Sequence, residues 1–218
     1  MAVKVGLKFI EIWNDSLEWA VTEYEKEQVE KGQIVFYGPS NFTRWSSRYG
    51  MRPLRNEIKG ASGKECIVNR GFGSSCSEHQ LYYYPRMIRP LEPAVLVYSF
   101  YGNGEDFGYS AEEKWELAQR VIVYAMTDFP EAELYLCSAS PSPTELNFCQ
   151  RGEAERFNSW VKLFAESHPR CHYVDIFNYA PLSDPELYVE DMVHFNQKGY
   201  DLYAEFFKDV LADELKKY

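Results

Sequence analysis

No stretch of this 218-residue chain approaches the roughly 20 consecutive apolar residues that a membrane-crossing helix requires. A basic footprint is also lacking. Lys and Arg number 23 against 33 Asp and Glu, and the formal net charge is −10. A protein that displaces counterions from nucleic-acid phosphates needs the opposite balance. Nucleic acid and anionic membrane surfaces are therefore excluded as expected partners. The opening residues, MAVKVGLKFIEIWND, interrupt their apolar positions with Lys4, Lys8, Glu11 and Asp15 and do not read as a secretory signal. Cysteine is sparse and odd in number: Cys66, Cys76, Cys137, Cys149 and Cys171 follow no regular spacing. They read as reduced thiols of a cytoplasmic protein. No repeat of about 20–50 residues and no low-complexity linker divides the chain. The expectation is one domain over 1–218.

What is present is material for a core: 45% hydrophobic and 17% aromatic residues. A chain of this length buries roughly 70% of its unfolded surface. Short apolar runs predict strands at Gln33–Tyr37, Cys66–Asn69, Ala94–Phe100, Glu133–Cys137 and His172–Asp175. Between them the pattern predicts helices at 16–31, 77–90, 111–128, 145–167 and 196–216, with Asp15 or Ser16 as the first cap and Gly32 as its stop. Such alternation is that of an α/β fold with a parallel sheet covered on both faces. Ligands of open parallel sheets sit beyond the carboxyl ends of the strands. There the sequence places Gly38-Pro39-Ser40, Arg70-Gly71-Phe72-Gly73-Ser74, Tyr101-Gly102-Asn103 and Ser138 to Ser142.

Ser40 follows the first strand and precedes Asn41 and a short helical run. A serine there is either a helix cap or a hydroxyl presented at the sheet edge. Asp191 and His194 stand three apart in VEDMVHFNQKGY, just before the last helix. One turn brings such residues together. A carboxylate beside an imidazole fixes its tautomer, so that the ring can activate a serine that is inert on its own. Alternatively, the pair is a local hydrogen bond at a helix start. Asn103, flanked by Gly102 and Gly104, and the glycine-rich segment around Gly73 and Ser74 are candidate donors to an oxyanion, or plain turns.

Competing chemistries have less behind them. The elbow Gly-x-Ser-x-Gly is absent. Cys76 and Cys137 lack a recognisable partner pattern for a cysteine hydrolase. His168, Cys171 and His172 in HPRCH have no second ligand cluster nearby. GASGK (60–64) lacks the spacing of a phosphate loop, and GFGSSC and GNGED fail the dinucleotide pattern. Aromatics such as Trp45, Phe72 and Tyr82–Tyr84 read as core, with Tyr101 kept as a candidate cleft residue.

Four blocks in order, FYGPSNFTRW, VNRGFGSS, VYSFYGNGED and VEDMVHFNQKGYDLYAEFF, resemble those of the SGNH (GDSL-type) hydrolases, a family of esterases and lipases. They span Ile34 to about Phe207. The resemblance implies a flavodoxin-like three-layer α/β/α sandwich with a five-stranded parallel sheet, and neither metal nor organic cofactor. It implies Ser40 as nucleophile, His194 as base then acid and Asp191 as its partner. The oxyanion donors would be the Ser40 amide, an amide at Ser74 or Gly73, and the Asn103 side chain. Asn41 and Tyr101 are candidate substrate-binding residues. The expected substrate is a small carboxylic ester: a short-chain acyl ester, an acetylated sugar or a lysophospholipid. Its specificity would reside in 41–62, 102–112 and 139–150. The sequence departs from the family pattern at Pro39, where an acid is common, and at Ser74, where glycine is usual. A serine at position 74 is strained if the turn needs positive φ. The rival expectation is a catalytically silent binding protein on the same fold.

Overall fold

The computed structural model describes residues 6–12, 14–104, 107–144 and 151–218. Five short strands, β1 (Ile34–Gly38), β2 (Ile67–Gly71), β3 (Val95–Tyr98), β4 (Glu133–Cys137) and β5 (Cys171–Val174), form one sheet. Its order is β2-β1-β3-β4-β5 and every pairing is parallel. The helices are α1 (Asn14–Glu25), α2 (Ser40–Thr43), α3 (Leu54–Glu57), α4 (Ser77–Met87), α5 (Ala111–Asp128), α6 (Arg151–Glu166), α7 (Gln197–Val210) and α8 (Ala212–Leu215).

Period-two alternation of the strands divides the core. Val35, Tyr37, Leu96, Tyr98, Leu134 and Leu136 face α1, α4, α5 and α6. Ile34, Phe36, Val95, Val97, Tyr135 and Cys137 face Phe42 of α2, Leu54 of α3 and Tyr200, Tyr203 and Phe207 of α7. The result is the three-layer α/β/α sandwich that the sequence led us to expect. Both faces of the central strands are covered, which is why they read as continuous apolar runs rather than as alternating ones.

Boundaries differ in instructive ways. The first helix ends at Glu25 rather than Lys31. Beyond it the amides of Lys26 and Glu27 bond three residues back, a tightening typical of a last turn. The segment EKEQVEKG has one apolar residue, Val29, to hold a helix against the core. Pro85 lies inside α4, which gives way after Met87 to a 3-10 turn at Arg89–Leu91. The predicted 196–216 helix breaks at Leu211 into α7 and α8. Residues 145–150 of the predicted 145–167 helix lie outside the described residues. Among those described, no helix is long and apolar enough to cross a membrane.

The order of the strands reverses at β1, whose neighbours are β2 and β3. A doubly wound sheet opens its ligand crevice at such a point. Gly38 and Gly71, paired in register, end β1 and β2 together. Gly71 has a steric reason: a Cβ there would lie 2.3 Å from the Thr43 amide nitrogen and 2.6 Å from the Phe42 carbonyl carbon. Only glycine lets α2 sit directly on the end of β2.

Candidate active site

Helix α2 has four residues, too few to be stable alone, so the surrounding structure must hold it. Phe42 and the following Trp45 are fully buried. The Asn69 amide of β2 donates to the Phe42 carbonyl at 2.7 Å, and its Oδ1 accepts the Gly71 amide at 2.8 Å. Tyr200 of α7 donates its hydroxyl to the Asn41 carbonyl at 2.9 Å. The position before α2 is Pro39, whose carbonyl accepts the amides of Phe42 and Thr43. Proline costs nothing there, since the first N–H groups of a helix have no intrahelical partner. Ser40 is thus the first helical residue and not the cap. Its hydroxyl is held instead by His194, whose Nε2 lies 2.7 Å from Oγ.

His194 comes from a tight turn between the 3-10 turn at Pro185–Leu187 and α7. Asp191 accepts the amides of Val193 and His194 on Oδ1, each at 2.9 Å, an Asx turn. Met192 inside it has φ +55°. An antiparallel bridge between Tyr188 and Phe195 closes the neck. Asn196 caps α7, accepting the Gly199 amide at 3.2 Å. Gly199 must be glycine because a Cβ would lie 2.4 Å from the Leu187 carbonyl oxygen. That contact accounts for the Asn-x-x-Gly-Tyr spacing. The turn presents His194 with its side chain 14% exposed. Its Nδ1 lies 2.8 Å from Asp191 Oδ2. With Nδ1–H donated to the carboxylate, Nε2 carries the lone pair and accepts the Ser40 hydroxyl. Ser40, His194 and Asp191, brought together from positions up to 154 apart, form one hydrogen-bonded chain.

Burial pushes the His194 imidazole below its ordinary value, the Asp191 hydrogen bond pulls it up, and the positive charge of Arg44 pushes it down again; the net shift is downward. Burial would raise the Asp191 carboxyl, but the bonds from the His194 and Val193 amides and the His194 ring outweigh it and hold the group low. Near neutrality the pair is therefore carboxylate beside neutral imidazole, the charge state a general base needs. A second histidine, His79, is fully buried and depressed by desolvation; its Nε2 lies 3.1 Å from the Ile12 carbonyl. Both rings protonate more readily in the unfolded chain than in the folded one. Their contribution to stability is therefore present above the ordinary histidine value of about 6.5 and declines as pH falls through it. Urea unfolding is expected to give a lower free energy at pH 5.5 than at pH 7.5. A stability flat across that interval would contradict the burial of both rings.

Two of the other expected residues, Gly73 and Asn103, lie on loops linked to Ser40 and to each other. A Cβ on Gly73 would stand 3.9 Å from Ser40 Cβ, so the loop after β2 passes close to Ser40. The Asn103 amide donates to the Ser75 carbonyl at 2.9 Å, which ties the loop after β3 to the loop after β2 and leaves one N–H of the amide for another acceptor. Beneath them Gln80 accepts the hydroxyls of Tyr98 on Oε1 (2.9 Å) and Tyr37 on its carbonyl (2.6 Å) and donates to the Ser99 carbonyl at 3.2 Å. Asn41 Oδ1 is buried and has no hydrogen-bond partner among the described residues. Tyr101 departs from its expected place at the cleft. The residue is 6% exposed, and its ring packs against Phe157 at 4.9 Å with the Lys114 ammonium 4.2 Å from its centroid.

Ser74 has φ +64°, so the strain anticipated for a serine at this turn is present. A left-handed conformation costs an L-residue roughly 1–2 kcal/mol that glycine escapes. Ser74→Gly, at an exposed position, is expected to stabilise the fold by about 1 kcal/mol, less the entropy that glycine adds to the unfolded chain. The check is a higher urea midpoint at unchanged slope; a lower midpoint would contradict it.

Sequence reasoning missed Arg44, Gln80 and Thr144. Arg44 Nη1 donates to Asp191 Oδ2 at 3.3 Å. The Thr144 hydroxyl donates to the Met192 carbonyl at 3.1 Å. The rival thiols are removed from reaction by burial, which raises Cys76 to about 11 and Cys137 further. His172 is bound to Glu133 at 2.6 Å and His168 is stacked on Phe164 at 4.0 Å. An apolar groove of about 790 Å³ between α5 and α6, lined by Trp115, Tyr124, Trp160 and Leu163, involves none of these site residues.

Comparison with solved structures extends this picture. A GDSL-like lipase from Bacteroides thetaiotaomicron superposes with a TM-score of 0.73 at 16% identity, over 95% of this chain and all of the other. The chain has the fold of the GDSL-type hydrolases. A protein of Bacteroides fragilis assigned as an acylhydrolase gives 0.69 at 19% identity, over 95% of this chain and 99% of that one. The esterase EstA of Pseudoalteromonas, in a structure inhibited by monoethylphosphonate, gives 0.65 at 16% identity, over 85% and 99%. No family model and no curated protein matches the sequence.

Proposed function

We propose that this GDSL-type fold carries a carboxylic ester hydrolase working through an acyl-enzyme on Ser40. The observation that carries the reading is the unbroken chain from Ser40 Oγ to His194 Nε2 (2.7 Å) and from His194 Nδ1 to Asp191 Oδ2 (2.8 Å). Esterases, a lipase and an acetyl xylan esterase among proteins of the same fold agree with ester chemistry.

In this mechanism Ser40 Oγ attacks the ester carbonyl while its proton passes to His194 Nε2, and Asp191 stabilises the imidazolium. The carbonyl oxygen becomes an oxyanion facing the amide of Ser40, an amide of Gly73 or Ser74, and the free N–H of Asn103, each such donor being worth about 10²–10³ in rate. Collapse expels the alcohol, which takes the proton from His194. Water, deprotonated by the same ring, then attacks the acyl carbon and releases the carboxylic acid and Ser40. Asn41, next to Ser40 in the chain, is assigned to substrate binding, which requires its Oδ1, buried in the structure, to turn toward the cleft. Substrates are small esters, and the whole chain acts as one domain.

The test is turnover of p-nitrophenyl esters of increasing acyl length, of acetylated sugars and of lysophospholipids. kcat/KM is expected to rise with pH through a midpoint below about 6.5, the ordinary histidine value, because His194 is depressed. A folded protein that turns over none of the panel would overturn the reading in favour of a silent binding protein.

A further inference from the structure

We infer that Arg44 is a positioning residue for the Ser40–His194–Asp191 chain, acting through Asp191; the inference rests on the hydrolase reading above. The Arg44 amide bonds to the Ser40 carbonyl at 2.8 Å, one turn along α2. Its guanidinium reaches Asp191 Oδ2 at 3.3 Å, the same oxygen that accepts His194 Nδ1. A closed loop of contacts results: Ser40 hydroxyl, His194, Asp191, Arg44, and back through the backbone of α2 to Ser40. Two segments 147 residues apart are thereby tied at both ends. The Ser40–His194 separation is consequently set by the loop rather than by one hydrogen bond.

The carboxylate accounting agrees. An ionised aspartate has about four acceptor sites. Here Oδ1 takes two backbone amides and Oδ2 takes His194 and Arg44. Without Arg44, Oδ2 would keep one partner among the described residues, and the carboxylate could rotate or recruit water. The Tyr49 ring lies 5.7 Å from the guanidinium.

Arg44 also acts on the electrostatics of His194, behind burial and the Asp191 hydrogen bond. Among the described residues, the charged groups acting on the His194 ring are Asp191 on its own turn and Arg44 at the end of α2, while Tyr200 of α7 is kept un-ionised by burial. Burial and the guanidinium oppose the imidazolium, and the carboxylate favours it. Removing the arginine charge takes away one of the two opposing influences and leaves burial in place, so the ring protonates at higher pH.

The experiment compares the parent with Arg44→Met, Arg44→Gln and Arg44→Lys. The His194 midpoint is read by NMR titration of the imidazole signals, assigned with His194→Ala, alongside the pH profile of p-nitrophenyl acetate hydrolysis. Both uncharged variants are expected to move the His194 midpoint and the acid limb upward together. They should lower kcat about 10-fold with KM within about twofold. Lysine keeps the charge but not the fork, so it should hold the midpoint and recover part of kcat. An unmoved midpoint with unchanged kcat would overturn the proposal. So would a rise in KM confined to anionic esters with midpoint and kcat unmoved, which would make Arg44 a substrate anchor. The titration needs no turnover. A midpoint that rises in a protein inactive on every ester would uphold the Arg44–Asp191–His194 coupling and reject the hydrolase reading alone.

Discussion

Replacing Asp191 with asparagine is expected to lower kcat for p-nitrophenyl acetate about 10⁴-fold, the order seen when a triad carboxylate becomes an amide. The hydrogen-bond partners of the Asp191 carboxylate among the described residues are all donors: the Val193 and His194 amides at Oδ1, the His194 ring and the Arg44 guanidinium at Oδ2. Asparagine has one oxygen for four donors. If that oxygen stays with the backbone amides, the NH₂ faces His194 and forces Nδ1 to accept. The ring proton then moves to Nε2 and points at Ser40, where a lone pair is required. If the amide turns the other way, its NH₂ opposes two backbone N–H groups and the Asx turn opens. Either arrangement disables the base. A loss below about 10-fold, in a variant with the parent's melting temperature, would show that Asp191 only shapes its turn.

Ser40→Ala and His194→Ala are each expected to lower kcat by about 10⁶-fold, and the double variant by no more than either alone. The reason is sequential dependence. Without the ring the hydroxyl keeps its proton, and without the hydroxyl the ring has nothing to activate. The residual rate, about 10³ over water, would come from the amides around Gly73 and Ser74 and from Asn103. Steady-state turnover at saturating ester checks this, with metal-free buffer and an inactivated-protein blank to exclude background. Losses that multiply would mean that the two residues act independently, which the 2.7 Å contact between them does not allow.

The parts of this site legible in the sequence are those whose logic is local. Asp191 and His194 lie within one turn, Ser40 follows a strand end, and the glycines and Asn103 follow two others. Buried strands announced themselves because the sheet is covered on both faces. The turn at Ser74 was also legible, since a serine in a glycine-rich bend raises the question of positive φ, and its φ is +64°. Arg44 was not. Its role exists only because α2 and the Asp191 turn, 147 residues apart, meet in space, and in isolation it is one more charge on a polar loop. Gln80 was hidden for the same reason, since its partners Tyr37 and Tyr98 come from strands 43 and 18 residues away. Tyr101 misled in the opposite direction. Its position after β3 suggested the cleft, yet the loop turns its ring inward over Phe157 and Lys114. Strand ends tell which segments reach the crevice, and side-chain direction is settled by packing that a linear pattern does not encode.

The most direct measurement is covalent labelling with a fluorophosphonate at pH near 8, read by intact mass and peptide mapping. A single adduct is expected on Ser40 of the parent, none in Ser40→Ala, and much slower labelling in His194→Ala. A folded parent that stays unlabelled, or that carries its adduct on another residue, would contradict it.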